Sequence, residues 1–250
     1  MQYVGFVALS ALFVFFTTAL GAAFIYIFKR AESGKMGAFF LGTASGIMLA
    51  SSIWSLLLPS IEQAQVNWGK LSFIPAMLGV LLGGGVLLLL EQFAVYRAKK
   101  ENNSLFFSVT LHNIPEGLAV GFALGMAHVI GTTEAYVAAF GLAVGVGLQN
   151  IPEGFAVALP IYLQTSNKKQ AFSYGVCSGL PEPFCVILGT ILSAKLRLFQ
   201  PWLLAFAAGA MIFVVVKELI PESQERYKNH GSVGALVGFV VMMVLDVALG

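Results

Sequence analysis

Charge is scarce in this sequence. Asp, Glu, Lys and Arg make up 10% of the 250 residues and hydrophobic residues 58%. A soluble globular chain carries about 25% charged residues, so this composition belongs in a lipid bilayer. The formal net charge is only +2 and is spread along the chain, which excludes a nucleic-acid surface. Cysteine is nearly absent. Cys177 and Cys185 are eight apart, about two helical turns, which is too far to bridge within one helix. They are expected as buried thiols, with neither a disulfide framework nor a CxxC site. HExxH, GxSxG and GxxxxGK motifs are all missing, so nothing points to catalysis. The apolar stretch Met1–Phe28 has no basic leader and is expected as a retained spanning helix.

Long hydrophobic runs dominate what remains. Segments of about 20 mostly apolar residues span a bilayer. They fall near 3–28, 37–58, 72–95, 105–127, 134–163, 171–193, 201–219 and 232–249, which predicts eight spanning helices and an all-α polytopic membrane protein. No linker is long enough to separate domains, so residues 1–250 are expected to form a single transmembrane domain. Of the 14 Lys and Arg, only Lys70, Lys195 and Arg197 fall in the even-numbered loops. The bias predicts odd-numbered loops in the cytoplasm and both termini outside.

Inside these runs one short motif occurs twice: HNIPEG at His112–Gly117 and QNIPEG at Gln149–Gly154. A carboxylate in an apolar span is costly and marks a functional position. On a helix His112 and Glu116 share one face, as do Gln149 and Glu153, with Asn113 and Asn150 one position round. Pro115 and Pro152 lack an N–H, so the carbonyls of Leu111 and Leu148 lose their partners and both helices are expected to kink. One reading is a pair of Pro-kinked helices whose polar groups only hold the bundle together. The other, favoured because the acid is duplicated with the proline, is a buried divalent-cation site. Imidazole with carboxylate suits Zn²⁺, Fe²⁺ or Mn²⁺.

A second repeat is weaker. SLLLPSIEQ (Ser55–Gln63) resembles KELIPESQE (Lys217–Glu225) on segments that cross in opposite directions, as in transporters built from inverted repeats. Glu182, between Pro181 and Pro183, is read as a metal ligand or proton carrier. Glu91 and Asp246 lie near span ends and are expected to reach the interface. For Lys217 and Glu218 a local ion pair and a gate stay open as alternatives. Met48 stands on a soft, polar face with Ser45, Ser51 and Ser52, where packing is the ordinary reading. His128 and His230 are expected in loops. The glycine runs, Gly83–Gly85 and Gly141, Gly145 and Gly147, are expected to let helices pack closely.

With these residues in view the sequence resembles the ZIP family of divalent-metal transporters, and its GufA-like branch most. HNIPEG and QNIPEG carry the resemblance, with GIMLASSIWSLLLPSIE, GLPEPF and AGAMIFVVVKELIPE. It implies an inverted repeat of spans 1–3 and 6–8 around the span 4–5 pair, and a binuclear site between spans 4 and 5. By motif position the first metal takes Met48, His112, Glu116, Gln149 and Glu153. The second takes Asn113, Glu116, Asn150, Glu153 and Glu182, with the two glutamates bridging. It further implies zinc import across the cytoplasmic membrane, some tolerance of Cd²⁺, Fe²⁺ or Mn²⁺, and a homodimer. Gln149 replaces a His of many relatives, and Asn150 an acid of some, which weakens the second position. Two other classes are weighed: an intramembrane metal-dependent hydrolase, which lacks a nucleophile signature, and a membrane metal sensor, which lacks an effector domain.

Overall fold

The computed structural model describes residues 2–27, 33–98, 104–195, 197–225 and 227–249, of which residues 2, 33, 91, 93–98, 104–109, 111, 112, 160, 194, 195, 197 and 249 are described by backbone alone. No strand occurs among the described residues, and eight helices are long and apolar enough to cross a membrane. α1 (Gln2–Ala23) is the first span. In the second, α2 (Ser33–Ser51) passes through a π-helical turn, Ser52–Leu57, into α3 (Leu58–Trp68). α4 (Phe73–Ala98), α5 (Ser104–Ile130) and α6 (Thr133–Thr165) are the third to fifth. The sixth is α7 (Lys168–Ser178) and α8 (Pro181–Lys195), broken at Gly179 and Leu180. The seventh runs from α9 (Gln200–Val214) through a second π turn, Val215–Leu219, into α10 (Ile220–Gln224). α11 (Lys228–Leu249) is the eighth.

The helix ends follow from local chemistry. Gly131, at φ 75°, turns the chain between α5 and α6, and the Thr132 side chain accepts the Ala135 N–H to start α6. The left-handed Ser166 closes α6, and Asn167 caps α7 through the N–H groups of Lys169 and Gln170. Because only two residues separate α5 from α6, they are antiparallel neighbours. Asn113 lies 17 residues before the end of α5, and Asn150 17 residues after the start of α6. The hairpin therefore brings the two motifs to one depth.

α5 and α6 continue as helices on both sides of Pro115 and Pro152. Two further spans depart from α geometry in π turns, each followed by a proline at the second helical position, Pro59 and Pro221. A proline removes one i→i−4 bond and crowds the carbonyl behind it; a wider turn relieves both. The second span consequently runs well past residue 58.

The repeat is visible in the packing. Four helix pairs share the most extensive interfaces: α1 with α6, α5 with α8, α2 with α11, and α4 with α9. In span numbers these are 1–5, 4–6, 2–8 and 3–7. Exchanging spans 1, 2 and 3 with 6, 7 and 8, and 4 with 5, converts the first pair into the second and the third into the fourth. The offset of five reverses direction across the membrane, so the repeat is inverted. The π turns, ending at Leu57 and Leu219, fall at equivalent places.

Glycine makes each interface possible. A Cβ at Gly46 or Gly238 would strike the carbonyl of Ala235 or Thr43 between α2 and α11; Gly83 and Gly209 play the same part between α4 and α9. Gly117 and Gly121 seat α8 on α5, and Gly21 and Gly154 seat α1 on α6. Small residues let backbones meet where lipid supplies no hydrophobic drive. Of the Gly83–Gly85 run, only Gly85 faces open space.

Candidate metal-transport site

The motif glycines set the ligand helices against their neighbours, and the asparagines lock the register. Asn113 Nδ2 donates to the Ser178 carbonyl at 2.7 Å, at the end of α7. Its repeat partner Asn150 donates through Nδ2 to the Val14 carbonyl of α1 at 3.0 Å. Four residues further on, Gly117 lies under the backbone of Glu182 and Gly154 under that of Thr18. Val14 and Ser178 are thus equivalent, and so are Thr18 and Glu182.

Glu182 occupies the first turn of α8, where the half-helix starts at Pro181 and its dipole favours negative charge. Its Oε1 accepts Thr18 Oγ1 at 3.0 Å and its Oε2 accepts Asn150 Nδ2 at 2.8 Å. Across the hairpin, Gln149 Nε2 donates to Glu116 Oε1 at 2.5 Å. Glu116 and Glu182 lie within electrostatic range of Glu153, which in turn faces Glu218. Met48, Glu116, Gln149 and Glu182 are fully shut from solvent, and Asn113, Asn150 and Glu153 nearly so.

One feature decides what this cluster can do. The N–H₂ groups of Asn113, Gln149 and Asn150 each face an acceptor, so the amide orientations are fixed by their partners. The oxygens of the same side chains are left over. Asn113 Oδ1, Glu116 Oε2, Gln149 Oε1, Asn150 Oδ1 and Glu153 Oε2 are buried with no hydrogen-bond partner. A buried oxygen without a donor costs about 1–3 kcal/mol, more when charged, so five on two facing helices is an arrangement that a cation would relieve. The donor set is mixed. Among the described residues no three His, Cys, Asp or Glu side chains are grouped to hold one ion. Amide oxygens, the Met48 thioether and His112 would have to complete a shell. The His112 side chain lies outside the described residues, although its backbone is on α5.

The match to known proteins agrees with this geometry. Residues 102–246 match the family described as ZIP Zinc transporter. This chain belongs to the ZIP family. Among relatives of this ZIP protein, Zinc transporter ZIP11 of Xenopus tropicalis is 32% identical, covering 93% of this chain and 94% of the relative. Zinc transporter ZIPB of Bordetella bronchiseptica is 36% identical over 99% and 82% of the two chains. Zinc transporter GufA of Myxococcus xanthus, 32% identical over 93% and 94%, bears out the GufA-like resemblance.

Several side chains lie elsewhere than the sequence predicts. Asp246 does not simply reach the interface: it is half-buried and accepts a hydrogen bond from Ser55 Oγ. Cys177 is exposed on the outside of the bundle and Cys185 only partly buried, so the expectation of two buried thiols fails; both are unbridged. Cys177 takes an outward position on α7, whereas Cys185 packs beside Gly117 in the α5–α8 interface. His128 and His230 fall in helix-terminal turns rather than loops, His128 stacked on Tyr3 at 3.7 Å. Lys217 sits over the Phe213 ring at 5.3 Å. The Glu91 side chain lies outside the described residues. Thr18 is the site residue that sequence reasoning missed; a threonine in an apolar helix carries no signal of its own.

Proposed function

We propose that this ZIP protein carries divalent metal cations, Zn²⁺ foremost, from outside the cell into the cytoplasm through a binuclear site between α5 and α6. The observation that carries the reading is the set of five unpartnered oxygens on the two NIPEG motifs. Met48, His112, Glu116, Gln149 and Glu153 take one ion; Asn113, Glu116, Asn150, Glu153 and Glu182 take the other, with Glu116 and Glu153 bridging. Glu182, already holding two hydrogen bonds, has lone pairs left for a metal but meets it from a braced position. A shell rich in neutral amides binds loosely enough for release, as a conducted ion requires. It also leaves room for Cd²⁺, Fe²⁺ or Mn²⁺ beside Zn²⁺. The names of the relatives are those of transporters, which sets the hydrolase aside. The reading places the protein in the cytoplasmic membrane as a homodimer, both termini outside, with residues 1–250 acting as one transport domain. The Lys and Arg bias between loops supports the orientation.

The test is zinc uptake into proteoliposomes holding a trapped fluorescent chelator, with wild type beside Glu153→Ala. Uptake in the wild type and its loss in the variant, with helix content unchanged by circular dichroism, is the expected result. Equal uptake in both overturns the site, and binding without uptake in the wild type identifies a sensor instead.

A further inference from the structure

The seventh span leaves α geometry at a point where a basic and an acidic residue stand side by side. Lys217 and Glu218 both lie in the π turn Val215–Leu219. They face different ways. Glu218 is half-buried and faces Glu153 of the central site, while Lys217 is exposed and rests over the Phe213 ring at 5.3 Å. Phe213 in turn packs on Gly84, so the ammonium is kept on the α4 side of the span. A cation over a ring face is worth about 0.5–1 kcal/mol at an exposed site, a hold weak enough to leave.

The equivalent turn of the second span shows what is peculiar here. With Pro59 matched to Pro221, Leu56 corresponds to Glu218 and Ser55 to Lys217. Leu56 is fully buried in the apolar cluster that includes Met48. The inward position is therefore apolar in one half of the repeat and acidic in the other. Glu218 adds a fourth carboxylate to Glu116, Glu153 and Glu182, which lie within electrostatic range of one another. A divalent ion offsets this charge while it is bound. Once it has left, the carboxylates need protons or another cation, because uncompensated charge in an interior is costly.

The chain carries such a cation next to Glu218, together with a means of moving it. A π turn holds one residue more than the α-helix it interrupts, so each residue beyond it is set back by one position. When the extra residue moves past Glu218 toward Pro221, Lys217 takes the position that Glu218 held. Pro221 has no N–H, so the turn moves toward a place where one helical bond is already missing.

We propose that Lys217 is an internal counter-ion for the emptied site, exchanged for Glu218 by migration of the π turn. With metal bound, Glu218 faces Glu153 and Lys217 stays on Phe213. After release the ammonium faces the carboxylates, and the site returns without its ion at a smaller net negative charge. The inference rests on the import reading, since it assigns Lys217 to the return half of that cycle.

Full-length protein in proteoliposomes separates the two halves. Net uptake of radioactive zinc into zinc-free vesicles needs the empty site to return; exchange, with equal zinc on both sides, does not. Lys217→Gln is expected to slow net uptake on the order of tenfold and to leave exchange at the wild-type rate, with Lys217→Arg restoring net uptake. Net uptake and exchange falling together, or neither changing, overturns the proposal. If Lys217→Gln loses helix content, Lys217→Met, which keeps an apolar stem on the Phe213 ring, decides by the same two rates. Failure of this inference alone leaves the natural chain's uptake, and its loss in Glu153→Ala, intact. Absence of zinc entry in the natural chain, or uptake undiminished by Glu153→Ala, overturns the import reading and this inference with it.

Discussion

At the scale of single residues, the site depends on which end of each amide faces the protein. Gln149 spends its N–H₂ on Glu116 and leaves its oxygen open, so one side chain both braces a carboxylate and offers a donor. A histidine in its place could do the same with two ring nitrogens, giving a softer ligand. We predict that Gln149→His shifts the preference for Zn²⁺ over Mn²⁺ upward by about tenfold, measured by competition binding, because imidazole suits zinc better than an amide oxygen does. An unchanged ratio would mean that residue 149 braces Glu116 without touching metal. The NIPEG residues were legible in the sequence because polar groups in an apolar span are conspicuous. Thr18 was not, since nothing in a local pattern says which buried polar residue will face another helix.

At the scale of elements, the glycine seams separate those helices that must touch from those that need not. A Cβ at Gly154 would meet the Thr18 carbonyl, and backbone cannot swing aside as a flexible side chain can. Gly154→Ala is predicted to destabilise the protein by about 1–3 kcal/mol, seen as a lowered melting temperature in detergent. Gly85→Ala is the control: its Cβ meets open space, so the melting temperature should hold or rise slightly. Equal effects of the two would contradict the α1–α6 seam. Eight spans could be read from hydropathy because each needs its own apolar length. The two π turns could not, since one wider turn leaves hydrophobic patterning nearly unchanged, and the prolines at 59 and 221 mark equally well a kink or a helix start.

At the scale of the whole molecule, two halves related by an inverted repeat clasp one central hairpin. The weak SLLLPSIEQ and KELIPESQE match foreshadowed this for spans 2 and 7, and the shared register of Val14 with Ser178 extends it to spans 1 and 6. That register has a consequence for energetics. Two poses obtained by swapping the conformations of equivalent halves would be isoenergetic if the halves were identical. Here one half presents a carboxylate, Glu182, where the other presents a hydroxyl, Thr18, and the two are bonded to each other. This position is one of those at which the halves differ, as His112 and Gln149 are another, and we predict that it biases the molecule toward one pose before any ion arrives. Replacing Glu182 by Thr makes the two positions alike. Spin-label distances across the ends of the bundle should then report two comparably populated poses where the natural chain gives one, and a single unchanged distance would place the bias elsewhere.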